Sequence, residues 1–408
     1  MAISLKESII VGFSDFWSRK VRSLVTIMGI VLGTMSIIVV LALMKGINAQ
    51  TLAWMMERGG LSKISVYENW NYDNPLNLRD YFTWRELELI RSLVPEAKYF
   101  NPQEREWVKF AYEGKEYRSA VYGVLPDFKY IEEWDADQGR FISEFDVSQS
   151  NDVVVIGTEI KNELFGSKDP IGEFITVHIR RLQVIGVMKH RFMKNSGPVG
   201  NENGLAYMNR RAFVPLSTMI HKGTGEDNIG SFVVKAQDAE SAPALREKLE
   251  SIILNLRQGK PVFRVESAQE EAEQMAKNQR TFQVIFFVIS IISLLVGGIV
   301  IANIMLATIQ ERTREIGIRI TVGARRIDIF IQFLVQTIVV TIIGGILGII
   351  VGLSLLDLVS KFIDIKLIAG PEMIIIALAV SAGIGLLSGL IPAVIASKMD
   401  PVKALRYE

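Results

Sequence analysis

Four apolar runs set the pattern of the chain. Residues 24–44, 281–309, 329–356 and 373–395 carry no charged side chain. At ~1.5 Å per helical residue each spans roughly the 30 Å of a hydrocarbon core. A secretory signal has a shorter apolar core and a small-residue cleavage site, so residues 24–44 read as an uncleaved first span. Helical periodicity continues past it: Ile47, Thr51, Leu52, Met55 and Met56 extend an apolar stripe to Gly59-Gly60, a helix terminator. Residues 267–280 form a polar helical stretch that enters the second span with no Pro or Gly between. Residues 45–62 and 267–280 are therefore predicted stalks, continuous with the spans.

Between the stalks the period changes. Strands are predicted from Lys63 to Tyr67, Trp107 to Ala111 and Tyr117 to Tyr122, and the capping box Thr83…Glu86 opens a helix to Leu93. Ser231 to Lys235 and Val262 to Val265 read as strands around a helix from Ala242 to Leu256. Residues 63–129 and 231–266 thus make two α/β halves, and residues 130–230, with runs such as Val153-Val154-Val155-Ile156, make a β-rich insert. The predicted fold is an α-helical membrane protein with four transmembrane helices and a large α+β extracytoplasmic domain inserted between the first and second.

Charge orients this pattern. Arg19, Lys20 and Arg22 precede the first span, Arg312, Arg314, Arg319, Arg325 and Arg326 lie between the second and third, and Lys398, Lys403 and Arg406 follow the fourth. Short Lys/Arg-rich loops mark the cytoplasmic side. Both termini are then cytoplasmic, residues 45–280 and the loop 357–372 lie outside, and the host is the cytoplasmic (inner) membrane. Residues 1–23 are predicted as an amphipathic helix on the membrane lipid, capped by Ser4…Glu7 and bearing Ile9, Phe13, Phe16 and Trp17. Residues 396–408 hold a short helix, with Asp400 as N-cap and Pro401 as first helical residue.

Composition narrows the chemistry. Over 408 residues, 49% are hydrophobic, 22% are charged and the mean hydropathy is +0.28, which fits membrane helices joined to a water-exposed domain. A net charge of +1 with no basic block gives no reason to expect nucleic acid. There is no cysteine, and the three histidines lack metal-ligand spacing. G-x-x-x-x-G-K-[ST], H-E-x-x-H and G-x-S-x-G are all absent, so no catalytic site is expected, and no metal or nucleotide in this chain. No ionisable residue lies deep in a span, which disfavours a proton- or ion-coupled carrier. Asn303 is expected to be buried in one interhelical hydrogen bond. Glycines recur every four residues (Gly29 and Gly33; Gly344, Gly348 and Gly352; Gly385 and Gly389), a spacing that serves either packing among the four helices or a dimer face. Glu132, Glu133, Asp135 and Asp137 read as a solvated acidic face, and Lys189 to Lys194 as surface.

The remaining feature is the loop at residues 310–328. It is basic and amphipathic, with Ile316 and Ile320 on one helical face, so it either lies on lipid or docks in a protein groove. Its string R-T-R-E-I-G-I-R-x-x-x-G-A-R (Arg312 to Arg325) resembles the loop between the second and third spans of MacB/FtsX-like ABC transporter permeases. The prefix R-S-L-V-T-I-M-G-I-V-L-G (Arg22 to Gly33) and the ending P-A…A-S-K-M-D-P-V-K-A-L-R-Y-E are similar to the same family. The stretch Gly139 to Val187 with Val214-Pro215-Leu216-Ser217 resembles its MacB-type periplasmic core. Thr321-Val322 departs from the usual small or basic residue and leucine.

The resemblance implies a non-catalytic permease that forms a homo- or heterodimer and binds two copies of a separate ABC ATPase subunit, where ATP and Mg are held. It casts Arg312, Arg314, Glu315, Gly317, Arg319, Gly323, Arg325, Arg326, Asp400 and Pro401 as ATPase-coupling residues. It names the α/β halves porter and the insert sabre, and implies mechanotransmission: the ATPases move the exterior domain through the stalks and expel a drug, peptide, lipoprotein or similar amphiphile, with or without a periplasmic adaptor. MacB proper carries its ATPase ahead of its first span, whereas this chain begins almost at that span, so a second polypeptide is expected. Two other readings stand beside export: FtsX-like signalling to cell-envelope enzymes, and a membrane-anchored sensor with no ATPase.

Overall fold

The structure is a computed structural model that describes residues 20–72, 80–177, 179–193, 203–221, 228–363 and 365–405, with side chains from residue 27 onward. The helix expected over residues 1–23 lies outside them up to residue 19. In chain order the elements begin with α1 (Lys20–Met56), β1 (Lys63–Glu68), α2 (Trp84–Leu93), β2 (Tyr99–Tyr112), β3 (Lys115–Val124), β4 (Ala136–Gly139) and β5 (Val153–Ile156). There follow α3 (Thr158–Phe165), β6 (Phe174–Val177), β7 (Arg180–Met188), β8 (Ala212–Pro215), β9 (Ser231–Lys235), α4 (Ala242–Leu256) and β10 (Phe263–Ser267). The chain ends with α5 (Ala268–Glu311), α6 (Thr313–Thr321), α7 (Arg326–Ile363), α8 (Pro371–Ser397) and α9 (Pro401–Leu405). They fall into two units, a helical one (Met1–Asn48 with Asn278–Glu408) and an α+β one (Ala49–Lys277).

In the helical unit α1, α5, α7 and α8 are each long and apolar enough to cross a membrane. α1 is unbroken over 37 residues and α5 over 44, so apolar span and polar extension are one helix in each case. α1 stops at Met56 and the chain turns through Gly59 (φ +99°) and Gly60 (φ +79°). Ile30, Ile38, Leu294, Ile329, Phe333 and Ala377 are buried together at the centre of the unit. At one end of the bundle Lys45 pairs with Glu372 at 2.9 Å.

The α+β unit is organised by one long strand. The first half of β2 (Tyr99–Gln103) pairs antiparallel with β9, which pairs with β1, which pairs with β10. Its second half (Glu104–Tyr112) pairs with β3, and the sheet continues through β8, β5, β7 and β4, with β6 between β2 and β7. Apolar residues alternate along β1, β9 is apolar over Phe232-Val233-Val234, and alternate positions share a face, so Ile64, Val66, Phe232 and Val234 point one way and are covered by Leu87 and Ile90 of α2 and Leu245, Leu249 and Ile253 of α4. Thr83 caps α2 with both halves of the capping box formed.

The strands divide differently from the expected boundary at residue 129. β3 and most of β2 belong with the strands of the insert, through the β3–β8 and β2–β6 pairings. β2 also begins at Tyr99, ahead of the expected Trp107. Pro102 sits inside its ladder, opposite Phe232, and proline in a run argues against a strand when only sequence is in hand.

Candidate functional site

The loop between α5 and α7 contains α6, and every sequence-singled residue there has a place. Apolar side chains alternate at 316, 318, 320 and 322, which on a helix puts them on opposite faces. Ile316 is buried, and Ile320 packs into the same core as Ile329 and Phe333. Ile318 is 47% exposed and Val322 83%. The face expected to meet lipid or a partner groove is thus spent inside the unit, and the outward apolar residues are Ile318 and Val322.

Neighbours fix the helix in position. A Cβ on Gly317 would lie 2.8 Å from the Ala404 Cβ, so α9 packs directly on α6 at its glycine. Asp400 Oδ1 accepts from the Val402 N–H at 2.9 Å, and Pro401 opens α9. Arg319 Nη1 donates to Gln332 Oε1 of α7 at 2.9 Å. Arg312 is the N-cap residue of α6. At its other end the Gly323 N–H donates to Ile320 O (3.1 Å) and the Ala324 N–H to Arg319 O (2.9 Å). That is a Schellman termination, and it needs the left-handed backbone that Gly323 adopts at φ +107°. The Arg325 N–H donates to Asp328 Oδ2 at the start of α7. Arg314, Glu315, Arg325 and Arg326 remain exposed beside Ile318, Val322 and Ile327. Gly317 and Arg319 face inward and hold this surface in place.

The seven span glycines that recur every four residues each meet another helix of the same chain. A Cβ on Gly29 would stand 2.8 Å from Gly297 Cα, and one on Gly33 would meet Leu294. Gly344, Gly348 and Gly352 of α7 face Ile30, Thr34 and Met35 of α1. Gly385 and Gly389 of α8 face Thr341 and Thr337 of α7. Asn303 departs from expectation: it is exposed on α5.

Sequence reasoning missed a second cluster, in the α+β unit. Glu132 does not lie on a solvated face. Its side chain is 6% exposed and accepts from Lys63 Nζ at 2.5 Å. Burial pushes its carboxyl up, but Lys63, Arg211 and Arg191 outweigh that and hold it below the usual glutamate range. Arg191, read as surface, is buried, and its Nη2 donates to the Glu132 and Glu133 carbonyls at 2.7 and 3.0 Å. No local pattern announces such a pair, because its members are far apart in sequence. Among the described residues no group of His, Asp and Glu could hold a metal ion.

Four bilayer-length helices, an α+β unit inserted between the first two and a braced amphipathic helix between the second and third define a multi-pass membrane protein with a large inserted domain. Residues 23–252 match the MacB-like periplasmic core domain and residues 287–401 the FtsX-like permease C-terminal domain. The chain belongs to the MacB/FtsX-like ABC transporter permease family. It is 31% identical over 406 residues to the macrolide export ATP-binding/permease protein MacB of Bdellovibrio bacteriovorus, covering 97% of this chain and 61% of that one. It is 31% identical over 410 residues to the pyoverdine export ATP-binding/permease protein PvdT of Pseudomonas savastanoi pv. phaseolicola, covering 99% and 60%. The chain thus spans about three fifths of these curated relatives. The solved periplasmic region of MacB from Actinobacillus actinomycetemcomitans aligns with 56% of this chain and 98% of that one, at 20% identity and a TM-score of 0.46.

Proposed function

We propose that this chain is the permease subunit of an ABC-type export system that works by mechanotransmission. The observation that carries the reading is the outward face of α6, where Arg314, Glu315, Ile318 and Val322 are presented by a helix braced from behind by α9 and tied to α7. A basic surface with an apolar centre suits a protein groove better than lipid once its inward face is occupied. α5 enters that loop at Glu311 and begins, unbroken, inside the α+β unit at Ala268. A displacement imposed at α6 therefore reaches the α+β unit along one covalent helix.

In this reading two copies of a separate ATPase subunit hold ATP and Mg and engage the cytoplasmic faces of a permease dimer. The termini are cytoplasmic, residues 45–280 are outside the inner membrane, and a second permease covers the exposed Asn303 of α5. The cargo is a drug, peptide, lipoprotein or similar amphiphile, a class supported by the export of macrolides and pyoverdine that the relatives' names record. An extracytoplasmic adaptor completes the path.

Arg314→Ala and Gly323→Val test the coupling role. Both are expected to lower permease-stimulated ATP hydrolysis by about tenfold while membrane insertion survives. Arg314→Ala removes an exposed contact, and Gly323→Val forces a branched side chain into a left-handed turn. Unchanged stimulation in both variants overturns the assignment.

A further inference from the structure

The turn from Tyr130 to Glu133 lies between β3 and β4, two strands of the insert's sheet, and groups from four separate segments hold it. From the end of α1, Gly59 packs so closely that a Cβ would lie 2.5 Å from Ile131 O and 3.2 Å from Glu132 Cα. From β1, Lys63 Nζ bridges Arg58 O (3.0 Å) and Glu132 Oε1 (2.5 Å). From β9, Lys235 Nζ reaches Tyr130 O (3.1 Å) and Glu133 Oε1 (2.6 Å). From the insert, Arg191 Nη2 takes the Glu132 and Glu133 carbonyls, and the amide of Asn209 pairs with both the N–H and the carbonyl of Arg191. The next residue, Trp134, is buried and donates to Lys189 O at 2.6 Å. Glu133 itself sits at φ +51°.

Burying an ion pair costs desolvation that its attraction barely offsets, and an apolar pair of similar volume often packs as well. Stability alone therefore gives little reason for Lys63 and Glu132 at 13% and 6% side-chain exposure. What the pair does supply is direction. A single ammonium fixes the Arg58 carbonyl, in the turn that follows α1, and the insert turn to each other, with a geometry that apolar contacts would leave loose.

We infer that the Tyr130–Glu133 turn keys the end of α1 to the β-rich insert, with Lys63 as the positioning residue, so that movement of the stalk is delivered to the insert rather than absorbed at the turn. This deepens the export reading and rests on it only for the source of the movement. The keying itself exists without nucleotide.

The chain has no cysteine, so spin labels can be placed at Ala53→Cys in α1 and Glu144→Cys in the insert without removing native thiols. Both positions are exposed. In nanodiscs without ATP, pulsed electron paramagnetic resonance is expected to give one narrow distance distribution for the labelled chain and for Lys63→Arg, which keeps the charge and the donors. Lys63→Met is expected to widen it about twofold by releasing alternative placements of the insert. Lys235→Met, which removes only the Glu133 grip, is expected to widen it less. An equally narrow distribution in Lys63→Met overturns the proposal. So does failure of both Met variants to fold while Lys63→Arg folds, since the residues would then be purely structural. With the ATPase and ATP present, a wild-type distance that does not shift sinks the export reading and leaves the keying judged on the nucleotide-free widths.

Discussion

The two units of this molecule are held together by opposite means. In the α+β unit the largest fully buried side chains are aromatic: Trp134, Phe82, Phe110, Phe213 and Phe232. Phe232 packs edge-on against Phe82 at 5.2 Å and stacks on Phe100 at 5.0 Å. In the helical unit the decisive contacts are made by residues with no side chain, as where Gly29 meets Gly297. In water, removing apolar area drives assembly. In lipid the surroundings are as apolar as leucine, so helices gain only by approaching closely enough for dispersion and weak hydrogen bonds to act. Large aromatic side chains fill the core of one unit, and glycines set the closest helix approaches in the other.

Three substitutions test that contrast. Phe232→Ala should produce the largest effect, destabilising the α+β unit by ~3–5 kcal/mol through lost transfer energy and a cavity. Protection of β1 and β9 amides from hydrogen exchange measures it, and a loss under about 1 kcal/mol would mean aromatic burial is not what holds this sheet. Gly29→Leu comes next. It adds apolar area, yet it should cost ~1–3 kcal/mol because the α1–α5 approach has no room for a side chain. A thermal midpoint in detergent that stays level or rises would place the helical unit under the same rule as the other.

Asp146→Asn probes the charged side of the contrast, with an expected loss of roughly 1–3 kcal/mol at neutral pH. Burial pushes the Asp146 carboxyl up, but hydrogen bonds from Arg140, Ser143 and Asn151 outweigh that and hold it well below the usual range. A depressed native value means the stabilisation is complete above the ordinary aspartate pKa of about 3.9 and is lost as the pH falls below it towards the native value. Acid titration of unfolding should therefore be shallower in Asp146→Asn than in the parent. Parallel titrations would remove Asp146 from the account.

Legibility followed the same divide. The apolar runs, the capping box at Thr83 and the Gly59-Gly60 stop rest on near neighbours in sequence and were open to a single reading. What was hidden depends on partners far away. Lys63 and Glu132 are 69 residues apart, and the assignment of β3 to the insert rests on its pairing with β8. The candidate coupling loop shows both cases at once. Its place and its charge could be read directly, but Ile316 and Ile318 look alike in sequence until α9 and α7 decide which one faces inward.

At ~1.5 Å per residue the 44 residues of α5 make a beam of roughly 66 Å. A beam yields where its section is weakest, and adjacent glycines are where a helix bends most easily. In α5 that place is Gly297-Gly298, and it is clamped on both sides, by the Gly29 backbone of α1 and by Ile384 of α8. Flexural stiffness at the weakest point is thus contributed by the neighbours, and loosening α1 or α8 would make α5 easier to bend without altering a residue of it.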